Sequence, residues 1–219
     1  MENSAKRIWD LPIRISHWSL AFSFTAAFLT AEMSPLIIHE TFAFLTLTIV
    51  IFRLFWGIIG SDTARFSNFV RGRSEIKAYI QELLQFRHKE YWGHNPLGAI
   101  AVVVILVLMF ALVGAGLFAS EGNFNGPWAT SVSRGAADLL KELHEILAGI
   151  LVFVALVHVA AIIGYRVFLR DDLIKPMITG MRPAAEGISE PRFSPLWLAI
   201  ICLAVAVVIS GAIFRYWLF

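Results

Sequence analysis

Six histidines stand at positions 17, 39, 88, 94, 144 and 158 of a 219-residue chain, and two of them pose a chemical problem. His144 and His158 lie in the stretch 138–165, DLLKELHEILAGILVFVALVHVAAIIGY, where from Ile146 onward the only ionisable groups are His158 and the terminal Tyr165 phenol. As a helix this stretch can cross a bilayer, since about 20 apolar residues at 1.5 Å each match a hydrocarbon core of roughly 30 Å. A separation of fourteen residues leaves the imidazoles within roughly 40° of each other on one face and about 21 Å apart along the axis. A polar group in lipid is costly, so each ring should face the bundle interior and have a partner there. An imidazole so placed can hydrogen-bond, relay protons or ligate a metal. His39 and Arg53 repeat the fourteen-residue spacing, and Arg53 calls either for an anionic partner or for a snorkelling path to the headgroups.

The elements that hold these groups are membrane helices. With 58% hydrophobic and 16% charged residues and a mean hydropathy of +0.72, the chain is far more apolar than a soluble domain. The formal charge of +2 says little about partners, and no part of the chain resembles a nucleic-acid-binding surface. The one cysteine, Cys202, lies in an apolar run. This excludes an intramolecular disulfide, a zinc cluster and a CxxCH haem attachment.

Taken in order, apolar spans are expected at 11–32, 36–60, 97–119, 138–165 and 196–214. The basic start, with Lys6, Arg7 and Arg14 ahead of a short apolar stretch, also has the outline of a secretory signal; counting back to Leu11 gives a membrane helix with His17 inside it. Trp9 and Trp18 suit an interfacial belt. Between 61 and 95 the sequence turns basic, with Arg65, Arg71, Arg73, Lys77, Arg87 and Lys89. By the positive-inside rule this loop is cytoplasmic. Within it Ser74 is placed to cap an amphipathic helix over about 74–88, lying on the membrane surface with Ile76, Tyr79, Ile80, Leu83 and Leu84 on its apolar stripe. His88 reads as solvated. His94, in GHNP, sits at the cytoplasmic interface, either as a polar contact or at a cofactor edge or iron. Asn95 and Pro96 suit the start of the third span. The segment 120–137 is poor in cations, whereas Arg166, Arg170, Lys175, Arg182 and Arg192 follow the fourth span. Five helices with the N-terminus inside and the C-terminus outside satisfy every loop.

This topology sorts the histidines by depth. His17 and His158 fall on the inner side, His39 and His144 on the outer. Two imidazoles saturate a haem iron and leave it no open position for oxygen chemistry, so two such pairs suit electron transfer between stacked haems. Hydrogen-bonded structural histidines or a proton relay remain alternatives on pattern alone.

The strings RIWDLPIRISHW, FRLFWGIIGSDTARFSNFVRG, GHNPLGA and LHEILAGILVFVALVH resemble the bacterial cytochrome b561 family, the group that includes the b-type cytochrome subunit of nickel-iron hydrogenases. The similarity runs over about residues 7 to 182. It implies an all-α membrane bundle: a four-helix core over 1–182 holding two b haems, then a linker and a fifth helix over 183–219. On matching positions the ligands it implies are His17, His39, His144 and His158, the set that depth pairing gives. Family members pass electrons between the quinone pool and a partner redox protein. The resemblance therefore implies an electron-transfer protein or quinone-linked oxidoreductase subunit in the bacterial inner membrane. Its partners would be quinone and a periplasmic c-type cytochrome or hydrogenase; assembly with further copies of itself stays open. Arg14, Arg53, Arg65 and Arg71 are candidates to neutralise propionates or hold quinone headgroups, because arginine stays charged and grips carboxylates bidentately. Two rivals stand beside this reading: a superoxide-to-quinone oxidoreductase of the same fold, which needs a cationic outer pocket, and a haem-free transporter whose histidines relay protons.

Overall fold

The structure is a computed structural model that describes residues 5–31, 36–85, 91, 93–122, 124–183 and 190–214. Arg87, His88 and Lys89 lie outside these residues. Helix α1, Leu11–Thr30, starts where the Asp10 carboxylate accepts a hydrogen bond from the Ile13 N–H at 2.7 Å, with Pro12 in the first turn. The helix α2, Ile37–Ile59, returns antiparallel along it. Their contacts run in register from end to end: the Trp56 Nε1 donates to Asp10 at 3.0 Å, Thr46 Oγ1 donates to Ser23 Oγ at 3.0 Å, and His39 Nδ1 donates to the Ala27 carbonyl at 2.8 Å.

After a single turn, α3 at Phe66–Phe69, comes α4, Arg73–Leu84. Ser74 does not cap it. The helix begins one residue earlier, and Gly72 holds the cap position with no side-chain bond. Of its expected apolar stripe, Tyr79 is buried. Helix α5, Pro96–Phe118, starts as expected, with the Gly98 N–H donating to Asn95 Oδ1 at 2.7 Å and Pro96 in the first turn.

A small hairpin (β2, Ser120–Glu121; β3, Phe124–Asn125) and a 3-10 turn at Ala129–Ser131 lead to α6, Arg134–Phe168. At 35 residues α6 is longer than the expected span. The Ser133 hydroxyl, which accepts from the Ala136 N–H, starts it four residues early, and the polar stretch that precedes His144 is helical too. After α7, Ile174–Thr179, strand β4, Met181–Pro183, pairs antiparallel with strand β1, Ala5–Arg7. The last element described is α8, Leu196–Phe214.

Among the described residues, α2, α5, α6 and α8 are long and apolar enough to cross a membrane. The expected first span is not one of these four. Helix α1 has the length, but Arg14, Ser16, His17 and Ser19 make its first half polar. What carries it along the same depth is α2, against which it lies for its full length.

Helix α2 is the hub, with α1, α5 and α8 packed around it. Accordingly eight consecutive residues from Thr46 to Arg53 are buried, as expected of a helix covered on all sides. The face that α8 buries is built of Ala199, Cys202, Ala206, Ser210 and Gly211, small residues that allow close approach in lipid. Helix α6 packs chiefly on α5.

Candidate functional site

Along α6, Ala137, His144, Leu151, His158 and Tyr165 recur every seven residues. This puts both histidines on the side that meets the bundle, with Leu151 fully buried midway between them. Around Leu151 lie Leu20, Ile49, Val50, Leu106, Met109 and Leu112. This apolar layer separates two polar zones.

The outer zone joins His39, in the first turn of α2, to His144 on α6, with ring centroids 6.2 Å apart. Each ring is oriented by its backbone: His39 Nδ1 donates to Ala27 O and His144 Nδ1 donates to Leu112 O, both at 2.8 Å. A carbonyl can only accept, so Nδ1 carries the proton in each ring and Nε2 keeps its lone pair, the arrangement by which second-shell carbonyls prepare metal-ligating histidines. Two imidazoles sharing one ion stand roughly 6 Å apart centre to centre, since a metal–imidazole bond is about 2 Å. The donor set and its spacing fit a bis-imidazole iron. Gly116 on α5 completes the zone: a Cβ there would stand 2.8 Å from His144 Cε1 and Nδ1.

The inner zone gathers His17 from α1, His158 from α6, Arg53 from α2 and His94 from the start of α5. Arg53 lies over the Phe66 ring, 5.9 Å from its centroid, and Phe66 in turn meets Phe69 at 5.6 Å. His94 is wedged between Trp9 and Phe69, its ring 4.7 and 4.4 Å from theirs, and burial, aided by Arg53, holds its pKa down at about 3. It is neutral at any physiological pH. Asp10, itself buried, is the carboxylate that bears on Arg53.

Most of the unpartnered buried side-chain atoms among the described residues collect at this end: Arg14 Nε, His17 Nδ1, Arg53 Nη1, Thr63 Oγ1, Arg65 Nε and His94 Nδ1. A buried polar group without a partner costs about 1–3 kcal/mol. Three arginines left in this state suit a group that brings carboxylates, as a haem with its propionates does.

Of the other candidates, Arg14 also donates to the Ile178 carbonyl and Arg65 pairs with Asp62. Arg71 is different. It faces Glu75 at 3.8 Å across the exposed first turn of α4, a surface pair worth little, and is not brought to the cluster. Nothing in the sequence marks Gly116 as a neighbour of His144, and the sequence reading passed over Asp10, although Asp10-x-Pro12 ahead of an apolar run is a helix-start signal.

A polytopic helix bundle that brings His39 and His144 together between its helices suits a membrane b-type cytochrome. The chain belongs to the prokaryotic cytochrome b561 family, whose model matches residues 8–180. It is similar to proteins described as probable Ni/Fe-hydrogenase B-type cytochrome subunits. The one from Rhizobium leguminosarum bv. viciae is 27% identical, the alignment covering 83% of this chain and 90% of the relative. Those from Bradyrhizobium diazoefficiens and Azotobacter vinelandii are 26% and 24% identical, over 80% and 83% of this chain and 85% and 90% of theirs. No solved structure matches. The protein is thus a membrane b-type cytochrome of electron transfer, and b-type cytochromes carry haem b. Helix α8 lies beyond the residues the family model matches.

Proposed function

We propose that the chain holds two b haems, one between His39 and His144 and one between His17 and His158, and carries electrons between membrane quinone and a redox partner outside the membrane. The observation that carries this reading is the His39–His144 pair, 6.2 Å apart with both Nδ1 protons on backbone carbonyls. Bis-imidazole haem iron supplies a one-electron couple with no open coordination position.

The protein's own part is to position and to insulate. Ala27 and Leu112 fix the outer rings through their carbonyls. Arg14, Arg53 and Arg65 offer unpartnered donors to carboxylates at the inner end. The layer around Leu151 keeps water from the space between the two zones, which lie about 21 Å apart along α6. Quinone is assigned to the inner end, where Arg53 and the neutral His94 leave polar atoms unpartnered. The partner, in keeping with the printed names of the relatives, is a hydrogenase, with a c-type cytochrome as the other candidate; it would take its place at the His39–His144 end. Lys141, the cation nearest His144 in sequence, is taken up by Glu121 and Glu145 at 2.7 and 3.1 Å, so a superoxide-attracting outer pocket finds no support there.

The test is to purify the full chain, count haem by pyridine haemochrome, and add menaquinol or ubiquinol. Two haems per chain that become reduced are expected, with His144→Ala and His158→Ala each keeping one. A colourless protein, or an unchanged low-spin spectrum in both variants, would sink the reading.

A further inference from the structure

The core helices are joined in the order α1, α2, α5, α6: each packs on the next, but α1 and α6 share no comparable face among the described residues. These are the two helices that carry His17 and His158. Besides the apolar layer that holds Leu20 and Leu151, a second tie lies at the inner end, in the chain that follows α6.

That segment is stiff. Arg170 turns it with φ 56, and the Asp171 N–H donates back to the Tyr165 carbonyl at 3.2 Å. Asp172 Oδ1 accepts from the Ile174 and Lys175 N–H groups at 3.0 and 3.1 Å, and Arg182 pairs with Asp171 at 2.6 Å, both side chains about nine-tenths buried.

The same segment then grips the start of α1. Strand β4 pairs with β1 from Ala5↔Pro183 to Arg7↔Met181. The Ile8 and Trp9 N–H groups both donate to Gly180 O, at 2.8 and 3.2 Å. Arg14 donates to Ile178 O, and Trp18 Nε1 donates to Met177 O at 3.2 Å. Trp18 is the immediate neighbour of His17. Gly180 is the centre of the grip: its φ is +82, and a Cβ there would stand 2.9 Å from Trp9 O and 3.2 Å from Arg14 Nε. Such a conformation and such an approach suit glycine alone.

We propose that this clasp, residues 5–18 against 177–183, is a positioning device that sets the distance and depth of His17 relative to His158, and so tunes the inner haem independently of the outer one. The proposal rests on the di-haem reading above. The outer pair needs no such device, because its rings are oriented by carbonyls of the neighbouring helices.

The experiment is a redox titration of the purified holoprotein, followed in the haem α-band. His158→Ala first identifies the inner wave by deleting it. Gly180→Ala is then expected to shift that wave by roughly threefold to tenfold in its reduction equilibrium, tenfold being about 59 mV for a one-electron couple, while the outer wave stays in place. Trp18→Phe, which removes one hydrogen bond and keeps a ring, should shift the same wave less, and it carries the test if Gly180→Ala does not accumulate. Two haems whose waves ignore both substitutions, or move together, would overturn the clasp alone. Fewer than two haems in the unsubstituted chain would overturn the di-haem reading and the clasp with it.

Discussion

A methyl group at position 116 would stand 2.8 Å from two atoms of the His144 ring, closer than carbon atoms tolerate. The ring cannot simply turn away, because its Nδ1 is held by Leu112 O at 2.8 Å. Gly116→Ala must therefore break that hydrogen bond or push the two helices apart. A lost outer partner of a metal-ligating histidine costs 10–100-fold in metal affinity, and the cost falls on one pair only. The expected result is a haem content that falls from two toward one per chain, with the remaining haem keeping the inner potential. Haem counting and a redox titration of the same sample would read it; full retention of both haems would show that Gly116 does no more than let α5 and α6 approach. Residues of this kind escape sequence reasoning. Gly114 and Gly116 read alike in α5, and a Cβ at Gly114 would meet nothing within 4 Å.

At the scale of elements, α4 packs on α5 and is tied to α6 by a buried bond between two phenols. Tyr79, 2% exposed, places its hydroxyl 2.6 Å from that of Tyr165, at the inner end of α6, and burial pushes the Tyr79 phenol up so that it stays protonated. Elsewhere α4 is mostly solvent-exposed and polar. Tyr79→Phe should cost about 1 kcal/mol and loosen this helix first. The check is amide hydrogen exchange over 73–84, expected to quicken severalfold in the variant while α5 and α6 keep their protection; unchanged exchange would mean that the apolar stripe alone holds α4. The long elements were legible from sequence because their signal is strong: α8 runs as expected, and α2 and α5 agree within a residue at each end. Hydropathy spoke less clearly for α1, where polar residues pack against α2 instead of lipid. The β1–β4 pairing could not be read at all, since three-residue strands 176 positions apart have no period to detect, and the helix at Ile174–Thr179 is too short to show one. The pairing of histidines by depth needed only the direction of each helix, which these misses leave unchanged.

For the whole molecule, the basic loops among the described residues come together at one end. The Asp62 N–H donates to Arg192 O at 3.0 Å and the Ser194 N–H to Ser61 Oγ at 3.0 Å, so the segment after α2 meets the segment before α8, while the β1–β4 pair joins the N-terminus to the chain after α6. Arg65, Arg71, Arg73 and Lys77 thus share an end with Arg166, Arg170, Lys175, Arg182 and Arg192, and with the His17–His158 zone. At the opposite end stand Arg134 and Lys141, the latter held by two glutamates. By the positive-inside rule an asymmetry of this size predicts an orientation with the His17–His158 zone at the cytoplasmic face and the His39–His144 zone toward the outside. Helix α6 sharpens the contrast, for 35 residues extend about 52 Å and must emerge from a core of roughly 30 Å. In a Cys202→Ser background, Ser131→Cys should react with a membrane-impermeant maleimide on intact spheroplasts, and Lys77→Cys only after the membrane is opened. The reverse pattern would exchange the two zones between faces, and with them the side on which quinone and the redox partner are to be sought; labelling of both sites from outside would mean that the charges do not fix a single orientation.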